Sequence, residues 1–310
     1  MDSLLFVPLV ESGRWILDIL PSMSPAELPV AGRRFVDYGL EVARRAGGTL
    51  MEVLDWKWSE RLAKEFADPT RTGSALFYEK GNGPVMRGLD DVVGADTPLT
   101  QSPSDGLVVI WGLCMPLEIT HADFEPVSPE ECRDTPPGIY RRDGDAWVRL
   151  KLRMFMVHDL RSWYELNFTV FHDCGLFTLP GYSAEKDVHL GRNVVLEHGV
   201  DIRPPALLQD NVWCARNVHL DGDVIVGSGT FIGEGTTLRR TVVCDNTYIG
   251  TGLVLDGKIV AGNRIIDPVS GVWTDVEDEG IARRIRRIGG LGWLRAVWRF
   301  LLGRSRGRRY

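Results

Sequence analysis

Residues 190–244 are LGRNVVLEHGVDIRPPALLQDNVWCARNVHLDGDVIVGSGTFIGEGTTLRRTVVC, and an apolar side chain recurs at every sixth position of this stretch. The ten positions are Leu190, Leu196, Ile202, Leu208, Cys214, Leu220, Val226, Ile232, Leu238 and Cys244. A second set of mostly small or β-branched residues, from Val194 to Val242, follows each of them by four positions. Because a period of six fits neither an α-helix nor a simple strand, the pattern predicts a parallel β-helix with three short strands in each coil.

The same stretch predicts details of the β-helix. Asn193, Asn211 and Asn217 fall where corners are expected, and Asn tolerates the positive φ that a corner needs. The six-residue frame slips by one after Cys244, and a loop is expected to leave the stack at Asp201-Ile202-Arg203-Pro204-Pro205. We expect the winding to be left-handed, as an exception to the right-handed crossover rule. The prediction is a left-handed β-helix over residues 181–270, through which the chain forms a homo-oligomer.

Residues 1–180 predict a reduced α/β domain of the Rossmann type. Strand patterns at 4–7, 49–54, 75–78 and 107–111 alternate with helical patterns at 35–46, 59–66 and 85–93. Such alternation builds a largely parallel sheet, and its ligands bind in loops beyond the carboxyl ends of the strands. Those loops are residues 8–15 and 112–116. A hairpin around Asp143-Gly144 and a helix at 159–171 precede the β-helix.

Composition limits the class of protein. The chain is 44% apolar and 25% charged, as folded domains are, and its five Cys show no CxxC spacing. We expect reduced, mostly buried thiols in a cytoplasmic protein and no metal site built from His, Cys, Asp and Glu. The sequence after Met1 has no basic region before an apolar one, and no uninterrupted apolar window approaches 18 residues. We therefore expect neither a secretory signal nor a spanning helix.

The last part of the chain, residues 271–310, is a basic tail. Residues 281–310 hold ten Arg and no acidic residue, so residues 1–280 carry a net charge of −16 against −6 for the whole chain. Ile281, Ile285 and Ile288 share one helical face, and beyond Gly289-Gly290 a second helical pattern begins. Its apolar stripe is formed by Leu291, Leu294, Val297, Trp298, Leu301 and Leu302.

Two roles of this tail stay open. Trp and Leu on one face with Arg on the other are typical of a helix lying on an anionic membrane surface, here the inner face of the plasma membrane. The residues expected to contact it are Arg283, Arg284, Arg286, Arg287, Trp293, Arg295, Trp298 and Arg299. Alternatively the tail caps the end of the prism or binds a partner subunit. Nucleic acid is not an expected partner.

The segment ELPVAGRRFVDYGLE at residues 27–41 resembles the LPVAGKPLIDYVLE segment of sugar-1-phosphate nucleotidyltransferases. Residues 159–167 and 247–268 also look like segments of that family, whose members commonly place a left-handed β-helix after a nucleotide-binding α/β domain. The resemblance implies condensation of a nucleoside triphosphate with a sugar 1-phosphate, releasing pyrophosphate, with Mg²⁺ as cofactor. It also implies a place in sugar-nucleotide and cell-surface polysaccharide synthesis.

That chemistry needs a Gly-rich loop for phosphates, a cation and carboxylates for Mg²⁺. The loop here has one Gly and an acidic Glu11, the family's Lys corresponds to Pro25-Ala26-Glu27, and its metal-binding Asp corresponds to Trp111-Gly112-Leu113. The sequence therefore predicts a weakened or inactive nucleotidyltransferase. Its candidate nucleotide-binding residues are Glu11, Ser12, Gly13, Arg14, Arg33, Trp111 and Gly112.

Two other functions stay open. One is a ligand-binding or scaffold protein without catalysis, held at the membrane. The other is an acyltransferase, since six-residue prisms also occur in that class, often with a catalytic His at a subunit seam. His189, His198 and His219 lie in or beside the coils, and a His with a pKa near the working pH acts as a general base.

Overall fold

The computed structural model describes residues 3–8, 15–16, 23–45, 50–55, 60–66, 75–80, 87–93, 106–117, 123–172, 177–185 and 187–285. The chain divides into two units, with the boundary between Leu179 and Pro180. Within the described residues, no helix is long and apolar enough to cross a membrane.

The N-terminal unit mixes strands and helices. Its strands are β1 (Ser3–Val7), β2 (Pro29–Val30), β3 (Arg33–Arg34), β4 (Leu50–Asp55), β5 (Ala75–Lys80), β6 (Val108–Trp111), β7 (Cys114–Pro116), β8 (Asp123–Pro126), β9 (Gly138–Asp143), β10 (Ala146–Lys151) and β11 (Met154–Met156). Its α-helices are α1 (Phe35–Arg45), α2 (Glu60–Phe66), α3 (Leu89–Val93), α4 (Pro129–Arg133) and α5 (Leu160–His172). A 3₁₀ turn covers Pro25–Glu27. The predicted strands and helices are confirmed to within a few residues.

Seven of these strands form one sheet in the order β5-β4-β1-β6-β9-β10-β8. The four strands from β5 to β6 are parallel, and β9, β10 and β8 continue the sheet antiparallel. The predicted hairpin is the β9–β10 pair, which turns at Gly144 with a φ of 60°. Both faces of β1 and β6 are buried, so residues 4–7 and 108–111 are continuously apolar rather than alternating; the neighbouring β4 also buries the polar Glu52.

Each face of the sheet has its own apolar cover. Leu5, Val7, Val109 and Trp111 belong to one cluster with residues of α3. On the other face, the rings of Phe6 and Phe35 stack with their centroids 5.9 Å apart, which docks α1 there. The parallel part of the sheet therefore lies between two layers of apolar side chains. The connecting loops begin at the carboxyl ends of its strands.

The C-terminal unit is a β-solenoid. Its strands are β12 (Tyr182–Glu185), β13 (Val188–Leu190), β14 (Val195–Leu196), β15 (Asp201–Arg203), β16 (Ala206–Leu208), β17 (Trp213–Cys214), β18 (His219–Asp221), β19 (Val224–Val226), β20 (Phe231–Ile232), β21 (Thr237–Arg239), β22 (Thr241–Val243), β23 (Thr247–Ile249), β24 (Val254–Asp256), β25 (Ile259–Ala261), β26 (Arg264–Ile266), β27 (Trp273–Asp275) and β28 (Ala282–Arg284).

Strands three apart in sequence pair in parallel and make three faces over about four turns. The first face runs β12-β13-β16-β19-β22-β25-β26-β27, the second β14-β17-β20-β23-β28 and the third β15-β18-β21-β24. The six-residue apolar positions from Ile202 to Leu238 pack in the prism interior, where residues such as Leu208, Leu220 and Ile232 are at most 1% exposed, whereas Leu196 in the first coil is 41% exposed. This architecture is compatible with the left-handed β-helix that the sequence predicts.

The frame slip lies at a different corner from the expected one. Successive coils are offset by 18 residues, but Val224 pairs with Thr241 and Val226 with Val243, an offset of 17. The corner at Arg240, with a φ of 43°, is one residue shorter than the corresponding Gly222-Asp223 corner. The prediction of a slip after Cys244 was therefore wrong, because the slip precedes β22 and Val243 takes the inward position.

Two further expectations were wrong. No loop leaves the stack at Pro204-Pro205: these two residues form a tight corner between β15 and β16. The expected helix from Ile281 does not form over residues 282–284, which are β28, antiparallel to β23. The physical reason is the open edge of β23, whose backbone groups β28 satisfies. Arg286, Arg287, Trp293, Arg295, Trp298 and Arg299 lie outside the described residues.

Candidate functional site

The parallel core of the N-terminal unit has a topological switch point. Strand β1 is flanked by β4 on one side and β6 on the other, so the chain leaves the carboxyl end of β1 toward β4 and that of β6 toward the opposite side of the sheet. In open α/β sheets, ligands bind in the crevice outside the carboxyl ends at such a point. The backbone N–H of Gly112 donates to the carbonyl of Val7 over 2.8 Å, which holds the ends of β6 and β1 together.

Gly112 itself sits in a conformation that suits glycine, with a φ of 78°. A side chain at this position would be strained, since L-residues rarely adopt positive φ. The end of β6 consequently turns sharply and brings the next residues back into the unit as β7. Of the predicted nucleotide-binding residues that the structure describes, Trp111 and Gly112 contribute backbone to the switch point, since Trp111 pairs with Val7 and the Gly112 N–H donates to the Val7 carbonyl.

The side chains around Gly112 are apolar and buried. Trp111 is completely buried and its indole N–H donates to the carbonyl of Thr135 over 2.8 Å. Leu113 and Met115 are 2% and 0% exposed. Burial raises the pKa of the Cys114 thiol to about 12. The structure thus places Trp111 in the core cluster beneath the switch point, with its ring and its N–H both occupied.

Arg33 lies on β3, at the start of α1, and its guanidinium is bound within the chain. It donates to Glu41 Oε2 over 2.5 Å and to the carbonyl of Thr178 over 3.1 Å, and it lies over the Tyr38 ring. Burial acts to raise the pKa of Glu41, but hydrogen bonds and charge from Arg33 and Arg45 outweigh burial and lower the pKa. Because α1 packs on the face opposite to Trp111, the structure does not place Arg33 and Trp111 on one face of the sheet.

The four loop candidates Glu11, Ser12, Gly13 and Arg14 lie outside the described residues, which resume at Trp15. The Trp15 ring lies 6.4 Å from that of Trp163, and its buried indole N–H has no hydrogen-bond partner in the part of the chain that the structure describes. Sequence reasoning did not select Trp15 as a site residue. Trp15 directly follows the candidate phosphate-binding residue Arg14, and its indole N–H is a hydrogen-bond donor. That combination of position and donor group is the signal that could have identified it.

The two segments that carry the family resemblance contact each other directly. Ala31, with a φ of 40°, donates its N–H to Oδ1 of the buried Asn167 over 2.9 Å. The Trp163 indole donates to the carbonyl of Pro29 over 2.7 Å, and the Tyr38 hydroxyl donates to that of Val30. Helix α5 therefore fixes the Pro29–Gly32 turn that precedes α1. These motif residues have structural roles that account for their spacing.

The described residues do not fit Mg²⁺ at the position that the resemblance implies. That position, Trp111-Gly112-Leu113 at the end of β6, holds two buried side chains without a carboxylate. Among the residues that the structure covers, no group of three or more His, Cys, Asp and Glu side chains could hold a metal ion. Hard cations such as Mg²⁺ take oxygen ligands, which Leu113 lacks.

The three His candidates of the solenoid lie apart from one another. His189 is on the first face, His198 is at an exposed corner and His219 is on the third face. The Nδ1 of His219 lies 3.8 Å from Oδ2 of Asp201 on the adjacent strand. Both side chains are about half exposed, so water screens this pair.

The outward side chains differ from face to face. On the second face, Trp213, Phe231 and Tyr248 stack with centroids 6.3 and 5.4 Å apart, and the Arg283 guanidinium lies 4.5 Å from the Tyr248 centroid. On the third face, acidic and basic side chains alternate in ion pairs between neighbouring strands. The first face carries branched aliphatic residues.

Comparison with models of known protein families gives no match, and comparison with curated proteins gives none either.

Proposed function

We propose that this protein is a nucleotidyltransferase-like protein of sugar-nucleotide metabolism that binds a nucleotide or sugar nucleotide and transfers no nucleotidyl group. The observation that carries the proposal is the switch point between β1 and β6, where Gly112 bridges to Val7. The ligand would bind above this bridge, beside the loop that contains Glu11 to Arg14. The left-handed β-helix would complete the two-domain arrangement of the family it resembles.

The electrostatics at the end of β6 support binding without transfer. Nucleotidyl transfer develops charge on phosphate oxygens, and metal ions or cations that stabilise this charge supply several kcal/mol. Here the corresponding side chains are those of Trp111 and Leu113, both buried and apolar. Backbone N–H groups and a guanidinium such as Arg14 bind phosphate without supplying the carboxylates that position Mg²⁺.

The test combines calorimetric binding with an assay for pyrophosphate release. Purified protein is titrated with nucleoside triphosphates, nucleoside diphosphate sugars and sugar 1-phosphates, with and without Mg²⁺. We expect one nucleotide class to bind, with little dependence on Mg²⁺, and no pyrophosphate to appear. Turnover with any pair would show that the protein is an active transferase, and no binding at millimolar ligand would remove the ligand-binding role.

A matched pair of glycine variants locates the site. Gly112→Ala and Gly144→Ala both force alanine into positive φ, at 78° and 60°, which costs about 1–2 kcal/mol in each case. We expect only Gly112→Ala to weaken nucleotide binding, because Gly144 lies in the turn of the β9–β10 hairpin. Equal loss of affinity in both variants would place the ligand elsewhere.

A second candidate function is favoured by His219. Its Nδ1 lies 3.8 Å from Oδ2 of Asp201, a carboxylate of the kind that orients the imidazole of a general base, and the prism is a scaffold on which acyltransferases occur. Consumption of an acyl-CoA by the wild type and by His198→Ala, but not by His219→Ala, would establish it. The absence of acyl-CoA consumption by the wild type would eliminate it.

A further inference from the structure

The first face of the solenoid carries an outward column of branched aliphatic residues. We call this set the first-face column: Leu207, Ile225, Val242, Ile259 and Ile266. Neighbouring strands align these residues in register, from Leu207 with Ile225 to Ile259 with Ile266. The residues on either side of Leu207 and of Ile225 belong to the interior cluster. Because strand side chains alternate, the column points away from the prism interior.

These outward residues are nevertheless buried. Their exposures are 1% for Leu207, 3% for Ile225, 2% for Val242, and 0% for Ile259 and Ile266. On the third face, by contrast, the outward Val254 is 76% exposed. An outward aliphatic column shielded from water requires a cover, and that cover must itself be apolar.

The chain approaches this face where its described part ends. Strand β28 runs antiparallel to β23, and the N–H of Ile285 donates to the carbonyl of Asn246 over 2.6 Å. Asn246 lies at the corner between β22 of the first face and β23 of the second. Residues 286–310 therefore begin at the edge of the face that carries the column.

The sequence of this remaining segment has the right pattern and length. Residues 291–302 place six apolar residues on one helical stripe, with Arg295 at its edge and Arg299 beyond that edge. Twelve helical residues span about 18 Å. The column crosses five strands, and four intervals between strands span about 19 Å.

We propose that the apolar stripe of residues 291–302 binds the first-face column and forms its cover. Arg299 then faces water, and Arg295 at the edge of the stripe extends its charged head to water while its stem lies along the apolar surface. The stripe is occupied within the chain and is not free to enter a lipid surface. This contact is independent of nucleotide binding by the N-terminal unit.

Hydrogen–deuterium exchange on the full chain, without lipid, tests the contact. We expect the amides of residues 291–302 to exchange at least about tenfold more slowly than those of residues 304–310. Ile225→Asp and Val242→Asp each place a charge in the column and should remove that protection. Val254→Asp, on the exposed third face, is the matched control and should leave it unchanged.

Several results would overturn the proposal. Fast exchange of residues 291–302 in the wild type, or protection that survives both column variants, would show that another part of the chain is the cover. Protection that appears only with anionic phosphatidylserine vesicles would identify a membrane as the occupant. Protection that rises with protein concentration would identify a second copy. Exchange of residues 206–226 reports whether a variant keeps the prism folded, and Ile225→Ser replaces the charged variants if they unfold it.

Discussion

Replacing Asn167 by Ala should destabilise the N-terminal unit strongly, because this one side chain ties α5 to the Pro29–Gly32 turn. Asn167 is 1% exposed; its Oδ1 accepts from the Ala31 N–H and its Nδ2 donates to the Trp163 carbonyl, both over 2.9 Å. Leaving the buried N–H of Ala31 without an acceptor costs about 1–3 kcal/mol. Losing the second hydrogen bond costs about 1 kcal/mol more. The expected loss of unfolding free energy is therefore about 2–4 kcal/mol.

Urea denaturation followed by far-UV circular dichroism at the helical band measures this loss. In the described part of the chain, all α-helices belong to the N-terminal unit, so the helical signal reports mainly that unit, with a smaller contribution from the helix proposed at residues 291–302. With an m-value of about 2 kcal/mol/M, the midpoint should fall by about 1–2 M. Thr169→Ala is the control: this exposed residue of α5 donates to the Glu165 carbonyl, and its loss should cost less than about 0.5 kcal/mol.

The reasoning fails if Asn167→Ala costs less than about 1 kcal/mol or no more than Thr169→Ala. A double-mutant cycle with Trp163→Phe sharpens the test, because the Trp163 indole holds the same turn through the Pro29 carbonyl. Two side chains that fix one turn should couple by more than about 0.5 kcal/mol. Additive losses would show that the turn is held in some other way.

Three further predictions concern the sheet, the solenoid and the thiols. Leu113→Asp restores the carboxylate of the family resemblance but buries it in an apolar site, so urea denaturation should show a loss of about 3 kcal/mol or more, and no pyrophosphate should be released. Phe231→Ala removes two ring contacts and should cost about 2 kcal/mol of solenoid stability, against less than about 0.5 kcal/mol for Val254→Ala; equal costs would contradict the stacking argument. Burial raises the pKa values of Cys114, Cys214 and Cys244 to about 12, so these thiols stay neutral at pH 8. Iodoacetamide labelling mapped by mass spectrometry should modify Cys132 before any of the three.

The period of six could be extended from sequence to structure because the first set of six-residue positions is apolar throughout, while buried members of the second set such as Thr230 and Thr236 satisfy their hydroxyls by donating to backbone carbonyls. The position of the frame slip could not be found this way. Val242, Val243 and Cys244 are all apolar, so the frames ending at Val243 and at Cys244 satisfy the pattern equally. What decides between them is the short corner at Arg240, whose N–H donates to the carbonyl of Gly222 one coil away. A contact between coils is invisible to a local pattern.

Contacts between residues distant in sequence also explain why the structures of the tail and of the candidate site could not be fully predicted. Ile281 and Ile285 fit a helical face, but the open edge of β23 recruits residues 282–284 as a strand, which is a tertiary effect. The sequence correctly placed Trp111-Gly112 at the end of a parallel strand. It could not show that Trp111 is a core residue, because its hydrogen-bond partner Thr135 lies 24 residues further along the chain.

The six-residue period fixes only the side chains that point into the prism. The outward side chains nevertheless repeat in type from one coil to the next, because residues 17 or 18 positions apart lie side by side on neighbouring strands. The first face repeats aliphatic residues, the second repeats aromatic rings and the third alternates Arg203, Asp221, Arg239 and Asp256. Closure of the prism requires none of these columns. Exposed ion pairs contribute at most about 1 kcal/mol, so the charged column fits a face that remains in water. The aliphatic column is already covered and the aromatic column is half-buried. Contacts made by the solenoid therefore use its first two faces.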